Sequence, residues 1–196
     1  MLHSLLKLAN QFELLSEASI NSEFVYHLKS KNFKGQKILS LTELKEKFPK
    51  IYAEEIKKYK GREHELKQKI KDLDCDWNEV INFSTLNPIK LFQLEELIGI
   101  PTQTIDIFKI PISVFKNSEM VIYTDLTAKS NAKSYEKTSI KTYKETQFIP
   151  TKTANYYSNC KDKKEMPLVF AYVPHLIVKL SAVNIKDFEI IKYTEI

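Results

Sequence analysis

The stretch "SEFVYHLKS", residues 22–30, decides how the rest of the sequence is interpreted. Its short, mostly apolar run predicts a β-strand over residues 23–28. His27 interrupts the run with an imidazole, which can both donate and accept hydrogen bonds. A histidine in this position is either a core or edge residue with satisfied hydrogen bonds, or a polar group facing a binding cleft.

The composition indicates one domain spanning residues 1–196. Hydrophobic residues make up 43% of the chain and aromatic residues 11%, which is enough to bury a core. No stretch approaches the roughly 20 apolar residues of a membrane span, and the N-terminus lacks the features of a signal peptide. We therefore predict a cytoplasmic protein without membrane association, and export to another cell stays open as an alternative. Cys75 and Cys160 are too few for a disulfide framework or a zinc site, so no metal site is predicted.

The charge of the chain is mildly basic, at +5, and lysine supplies nearly all of the positive charge. Such a balance favours nucleic acid or another polyanion as a partner, but it is also common in proteins that need charge only for solubility. Arg62 is the only arginine and follows Gly61. Its guanidinium could bind a pyrophosphate or a carboxylate through two hydrogen bonds, or it could be a surface charge near a helix end.

Several segments have the apolar spacing of helices or the residues that start and end them. Residues 1–20 carry apolar side chains at three- and four-residue spacing, which predicts an amphipathic N-terminal helix. The charged segment between residues 41 and 73 predicts two helices, with Arg62 at their junction. A further helix is predicted to open at Asn87–Pro88 and to close at Gly99.

The remaining segments predict strands, and together with the helices they indicate an α+β fold. Strands are predicted in "WNEVINFS", "TIDIFKIPIS", "EMVIYTD" and "FEIIKYTEI". The polar segment over residues 131–148 is predicted to be a helix or a loop. The most hydrophobic run, "MPLVFAYVPHLIVKLS", predicts a buried strand over residues 168–173 and a turn at Pro174.

Two late segments carry candidate functional residues. Glu165 precedes the predicted strand 168–173, where a carboxylate could stabilise positive charge on a ribose or be an ordinary solvated group among basic neighbours. Asn131 and Tyr135 lie in a polar segment that is rich in lysine. This segment could hold a nucleic-acid strand, with aromatic rings for bases and lysines for phosphates, or it could be a solvated loop.

In this order, the segments resemble the ADP-ribosyltransferases, and within them the DarT-type DNA ADP-ribosyltransferase toxins. "VYHLKSKNFKGQKIL" is similar to the opening strand of that family, and Arg62 with the later "WNEVINFSTLNP" is similar to its arginine, strand and turn. "VIYTDLTAKSNAKSYEKT" resembles its "FTD-x-NA" segment, and "KEMPLVFAYVP" resembles the strand that holds its catalytic glutamate. Lys29 replaces a threonine of the family, and Met166 rather than Glu165 falls on the glutamate position.

The resemblance implies a fold and a substrate. The fold would be a split β-sheet core with flanking helices, here with an added N-terminal helix. The substrate that donates the ADP-ribose would be NAD. The residues implied to contact NAD are His27, Leu28, Lys29 and Ser30.

The resemblance also implies catalytic and acceptor-binding roles. Glu165 would orient the ribose and stabilise an oxocarbenium-like transition state, and Arg62 would act at the pyrophosphate or position the acceptor. Asn131 and Tyr135 would contact the acceptor, which we expect to be a base of single-stranded DNA or RNA. A toxin of this class would have an antitoxin protein as a partner.

Two other functions stay open from the sequence. The chain could be an ADP-ribosyltransferase that modifies protein. It could also be a non-catalytic domain of the same fold that binds nucleic acid or protein.

Overall fold

The protein is described by a computed structural model, which covers residues 23–31, 33–101, 104–124, 134–163 and 165–193. These residues form a mixed α+β structure, as the sequence predicts. The predicted N-terminal helix over residues 1–20 lies outside the described residues.

Seven strands build the main sheet, and every neighbouring pair is antiparallel. Their bounds are β1 Phe24–Leu28, β5 Ile81–Ser84, β6 Ile105–Pro111, β7 Met120–Thr124, β8 Ser134–Thr138, β9 His175–Val178 and β11 Glu189–Tyr193. The order across the sheet is β11-β6-β1-β5-β9-β7-β8. Two small antiparallel ribbons complete the strands: β2 Lys37–Leu39 pairs with β10 Ala182–Asn184, and β3 Lys69–Ile70 pairs with β4 Cys75–Asp76.

The main sheet is weakly joined at its centre. β1 pairs with β6 over five residue pairs, but it pairs with β5 only at Tyr26 and Ser84. The two strands diverge beyond that pair, and the ring of His27 instead contacts the carbonyl of Asn82 on β5. We call this junction between β1 and β5 the seam. It divides the sheet into a three-stranded half, β11-β6-β1, and a four-stranded half, β5-β9-β7-β8.

Two longer helices, α3 Pro88–Ile98 and α4 Thr151–Lys163, pack against one face of the sheet. The Asn87 side chain accepts a hydrogen bond from the Ile89 amide at 3.1 Å, and Gly99 ends α3 with a φ of 72°. Both termini of α3 therefore lie where the sequence predicts them, because an asparagine caps the free amides and a glycine tolerates the left-handed backbone.

The segment between residues 41 and 67 is broken into short helical pieces. The α-helices are α1 Leu41–Lys47 and α2 Pro49–Glu55, and the tighter 3₁₀ turns are Ile56–Tyr59 and Glu63–Lys67. Pro49 starts α2, in agreement with the predicted break. Arg62 lies between the two 3₁₀ turns rather than between two long helices.

The core forms separate clusters on the two faces of the sheet, because alternate strand residues point to opposite faces. Val25, Phe83 and Leu176 belong to a cluster on one face. On the other face, Tyr26 packs in a cluster with α3 and α4, whereas Ile177 packs in another cluster with the β3–β4 region.

Two predictions about the late segments are wrong. Residues 134–138 form β8, not a helix or loop, because they pair along β7 with Tyr123 opposite Tyr135. Residues 168–173 form turns, not a buried strand, and the strand begins only at His175. Helix α4 has no counterpart among the predicted elements.

Candidate functional site

A large cleft opens over the seam and the neighbouring ends of β5 and β9. Its volume is about 1940 Å³, which exceeds the roughly 300–1,000 Å³ of a typical small-molecule pocket. One wall is formed by the short helical pieces of residues 41–65, and another by the turn segment 168–173. The cleft is therefore large enough for a dinucleotide and part of a second ligand.

His27 lies in this cleft with a defined tautomer. Its Nδ1 donates a hydrogen bond to the Asn82 carbonyl oxygen at 2.9 Å, since a carbonyl can only accept. Burial lowers the pKa of His27 to about 4, although the Asn82 carbonyl opposes this shift. The ring also packs on Phe83, with 5.5 Å between ring centroids. Neutral His27 therefore offers Nε2 as a hydrogen-bond acceptor.

His175 is a second histidine of the cleft, and sequence reasoning gave it no functional role. It is the first residue of β9 and lies opposite Ser84 of β5. Burial lowers its pKa to about 4, while the Val173 carbonyl acts in the opposite direction. The sequence signal was a histidine directly after Pro174, and the structure adds that this residue lines the same cleft as His27.

Arg62 and Lys58 bring positive charge to the cleft wall. Arg62 donates from Nη2 to the Lys58 carbonyl at 2.8 Å and forms an ion pair with Glu65 at 3.2 Å. Its guanidinium also lies 5.7 Å from the centroid of the Tyr59 ring. Lys58 lies 3.5 Å from Glu55, and its charge lowers the pKa of both His27 and His175.

The cleft as a whole carries excess positive charge. Three carboxylates, those of Glu55, Glu65 and Asp72, face seven basic side chains. The basic residues are Lys34, Lys37, Lys58, Arg62, Lys69, Lys71 and Lys152. Charge of one sign in a concave site attracts ligands of the opposite sign, so the lining favours an anionic ligand.

One side of the cleft is aromatic. The rings of Trp77 and Tyr123 lie 5.7 Å apart between centroids, and those of Tyr123 and Tyr135 lie 5.3 Å apart. The Tyr135 hydroxyl accepts a hydrogen bond from Gln68 at 3.0 Å, and burial raises the pKa of Tyr135 to about 12. Trp77 in turn donates to the Tyr59 hydroxyl at 2.9 Å. These contacts hold the rings in fixed positions where flat ligands could stack.

The turn segment 168–173 forms the opposite wall and holds its aromatic residues in an unusual backbone conformation. Phe170 and Tyr172 have φ values of 66° and 60°, in the left-handed region that side chains disfavour. The Tyr156 hydroxyl accepts the Leu168 amide at 2.9 Å, and its ring packs edge-on against Tyr172 at 5.5 Å. Strained residues of this kind persist where the surrounding fold over-determines them, and they cluster at ligand sites.

The predicted NAD-contacting residues divide into two groups. His27, Leu28 and Ser30 line the cleft. Lys29 is absent from the described lining and forms an ion pair with Asp106 at 2.8 Å. Lys29 also donates its backbone amide to the Asp106 carbonyl at 2.9 Å, so both its backbone and its side chain are held at β6.

The predicted catalytic and acceptor-binding residues are also divided. Arg62 and Tyr135 line the cleft, and Asn131 lies outside the described residues. Glu165 is exposed and is not among the residues that line the cleft. Its amide donates to the Cys160 carbonyl at 2.8 Å, which ties it to the end of α4. The strand on which its predicted position depended is absent, because residues 168–173 form turns.

Within the described part of the chain, no cluster of three or more metal-ligating side chains occurs. Helices there are too short or too polar to cross a membrane.

Comparisons with known proteins leave the family open. No protein-family model matches the chain, and searches of characterised proteins and of solved structures gave no significant similarity.

Proposed function

We propose that the protein is an NAD-dependent ADP-ribosyltransferase of the DarT type that modifies a base of single-stranded DNA or RNA. The observation that carries the proposal is the cleft over the seam, which contains His27 and Arg62 together. These two residues are 35 positions apart in the sequence. His27 was singled out for a contact with NAD, and Arg62 for a catalytic role at the pyrophosphate or at the acceptor.

The charge and the size of the cleft support this proposal. NAD and nucleic acid are both anionic, and seven basic side chains line the site. The volume of about 1940 Å³ leaves room for a dinucleotide and an acceptor base at the same time. The aromatic wall of Trp77, Tyr123 and Tyr135 suits flat rings, whose stacking on aromatic side chains contributes about 1–3 kcal/mol per base.

The proposed reaction exchanges one bond at C1′ of the ribose. The bond to nicotinamide breaks, and its electron pair leaves with nicotinamide. A nucleobase nitrogen donates its lone pair to C1′ and then loses a proton. Because positive charge develops on the ribose, a carboxylate close to C1′ would stabilise the transition state.

The identity of that carboxylate is a specific question for this chain. Glu165 is the residue that the resemblance proposes. Of the three carboxylates described in the cleft lining, Glu55 is the one whose charge acts on His27. We expect Glu55→Gln to lower the rate of transfer by about tenfold or more, and Glu165→Gln to lower it less. The transfer rates of the two matched variants are measured with radiolabelled NAD. A larger loss of rate in Glu165→Gln than in Glu55→Gln would assign catalysis to Glu165 instead.

A non-catalytic binding domain is the second candidate, and the exposed position of Glu165 outside the cleft lining favours it. Such a domain would bind nucleic acid in the basic cleft without using NAD. A transferase acting on protein is distinguished from both by its acceptor.

Binding of NAD separates the transferase from the binding domain. At 100 times its dissociation constant, NAD would stabilise the folded protein by about 2.7 kcal/mol. For a chain of this length we expect the melting temperature to rise by about 5–10 °C. Arg62→Ala should reduce the rise, whereas Lys141→Ala, which changes an exposed lysine outside the described cleft lining, should not. No stabilisation at millimolar NAD would exclude the transferase.

The acceptor is identified by transfer of label from NAD to single-stranded DNA, single-stranded RNA and protein in parallel. We expect labelled nucleic acid. Binding of an unmodified oligonucleotide should weaken as salt rises, because its phosphates contact the basic lining. Lys71→Ala should reduce the magnitude of the slope of the log binding constant against log salt concentration by about 1. Lys141→Ala should leave this slope unchanged.

A further inference from the structure

The seam is open on both sides of its single residue pair. In the register of that pair, Phe24 would next lie opposite Leu86, but these two residues do not pair. The Leu86 amide instead donates to the Ser84 hydroxyl at 3.1 Å, and that hydroxyl donates to the Leu86 carbonyl at 3.2 Å. The polar groups of the chain after β5 are therefore occupied away from β1.

Residues 143–146, which we call the linking segment, contact both strands beside this gap. On the β5 side, the Thr146 amide donates to the Thr85 carbonyl at 2.8 Å. The hydroxyls of these two residues lie 2.7 Å apart, and Thr146 forms a parallel bridge with Leu86. The linking segment is therefore joined to the four-stranded half of the sheet.

On the β1 side, the linking segment satisfies both backbone groups of Phe24. The Phe24 amide donates to Oε2 of Glu145 at 3.3 Å, and its carbonyl accepts from the Tyr143 hydroxyl at 2.7 Å. The Tyr26 hydroxyl donates to Oε1 of Glu145 at 2.8 Å, so the two carboxylate oxygens hold two residues of β1. The Glu145 amide in turn donates to the Glu23 carboxylate at 2.8 Å. These contacts join the linking segment to the three-stranded half as well.

Glu145 and the cleft lie on opposite sides of the seam pair. Tyr26 and His27 line the cleft, whereas Glu145 is absent from the described lining. On the cleft side, the described strand residues form no further backbone pair between β1 and β5, and the His27 ring donates to the Asn82 carbonyl at 2.9 Å instead. The position of this ring therefore depends on how β1 is held, and the linking segment holds β1 at the adjoining residue.

We propose that Glu145 is a positioning residue, which fixes β1 through Phe24 and Tyr26 and thereby holds the His27 imidazole in place at the cleft. A binding group is most effective when its support is rigid, because a small displacement weakens every contact that depends on its geometry. As far as it concerns NAD, this inference rests on the proposed function. As far as it concerns the position of His27, it depends on the contacts of the linking segment alone.

Two substitutions of Glu145 separate its hydrogen bonds from its charge. Glu145→Ala leaves the Phe24 amide and the Tyr26 hydroxyl without their acceptor, so it releases the start of β1. Glu145→Gln removes the charge, but its carboxamide oxygen can accept from the Phe24 amide while its NH₂ group donates to the Tyr26 oxygen. We therefore expect glutamine to preserve what alanine loses.

The imidazole of His27 reports its own position in long-range ¹H–¹⁵N spectra, without NAD. The hydrogen bond to Asn82 fixes the tautomer that is protonated at Nδ1. In Glu145→Ala, we expect the His27 nitrogen resonances to shift toward a mixture of the two tautomers, whereas His175 on β9 keeps its spectrum. In Glu145→Gln, both histidines should resemble the wild type. An unchanged His27 spectrum in folded Glu145→Ala would overturn the proposal.

Two controls separate this shift from a general loss of stability. Lys144→Ala changes an exposed residue of the same segment and should leave the His27 spectrum unchanged. Mild urea, below the unfolding transition, lowers the stability of the whole fold without removing the Glu145 side chain, and it should also leave the spectrum unchanged. A shift in either control as large as that in Glu145→Ala would show that the proposal is wrong.

Tyr26→Phe replaces Glu145→Ala in the test if the alanine variant does not fold. This substitution keeps the ring and removes only the hydroxyl that donates to Glu145. We expect the His27 resonances to shift in the same direction as in Glu145→Ala, by a smaller amount. If they do not move, Glu145 does not act on His27 through Tyr26, and the proposal is overturned.

Calorimetry with NAD measures the consequence for the cleft. We expect Glu145→Ala to bind NAD about tenfold more weakly than the wild type, and Glu145→Gln and Lys144→Ala to bind it within about twofold of the wild type. If Glu145→Ala binds NAD as tightly as the wild type, Glu145 does not position the site. If the wild type does not bind NAD but the His27 spectra change as expected, the transferase proposal fails while the positioning role stands.

Discussion

His27→Ala is expected to lower ADP-ribosyl transfer by about 100-fold or more, the largest effect that we predict for a single side chain. The variant removes the Nε2 acceptor from the cleft and the hydrogen bond from Nδ1 to the Asn82 carbonyl. It also removes the ring that packs on Phe83, with 5.5 Å between ring centroids. Initial rates with labelled NAD and the preferred acceptor measure the loss.

Two further variants show whether this loss reports ligand contact or a local change in packing. His27→Gln retains a polar group near the position of Nε2 and should recover part of the activity. His64→Ala removes an exposed histidine from the same cleft and should keep nearly full activity. Full transfer by a correctly folded His27→Ala protein would falsify the assignment of His27.

Glu95→Gln is expected to stabilise the fold at high pH but not at low pH. Glu95 lies on α3 with 4% of its surface exposed, and burial raises its pKa from 4.5 to about 7. The ionised form is therefore disfavoured in the folded protein, and stability is lost as pH rises from about 4.5 to 7. We expect the glutamine variant to be more stable by about 1–3 kcal/mol at about pH 8 and nearly unchanged at about pH 4.

Urea unfolding at these two pH values measures the difference. Glu46→Gln is the matched control, because Glu46 is an exposed residue of α1 and its replacement should have little effect at either pH. Burial of the Glu95 carboxyl sets the expected size of the effect. Its charge also acts on Tyr157, whose hydroxyl is buried beside it. If the free energy of unfolding of Glu95→Gln does not exceed that of the wild type at high pH, the raised pKa of Glu95 is wrong.

Local sequence signals predicted the elements that have capping residues at their ends or a continuous apolar run. Asn87, Pro88 and Gly99 fix both ends of α3, and the apolar runs at β1, β6, β7 and β11 identify strands. β8 was not predictable in this way, because the polar sequence around Tyr135 becomes a strand only by pairing with β7.

The candidate site was predictable only in part, for a similar reason. His27 and Arg62 stood out as single residues of unusual type, and both line the cleft. His175 joins them through the register that places it opposite Ser84, a residue 91 positions away in the sequence. Glu165 was predicted from a strand that the structure replaces with turns. Neither long-range register nor a left-handed Phe170 leaves a recognisable local pattern.

The single residue pair between β1 and β5 makes the seam the most easily deformed junction of the main sheet. Few backbone hydrogen bonds resist a small change in the spacing of the two halves there, whereas the five pairs between β1 and β6 hold their strands firmly. A molecule bound in the cleft would contact both halves of the sheet, because His27 lies on the three-stranded half and His175 on the four-stranded half. Occupancy of the cleft would then slow amide hydrogen exchange at Tyr26 and Ser84, far more than in the interior of either half.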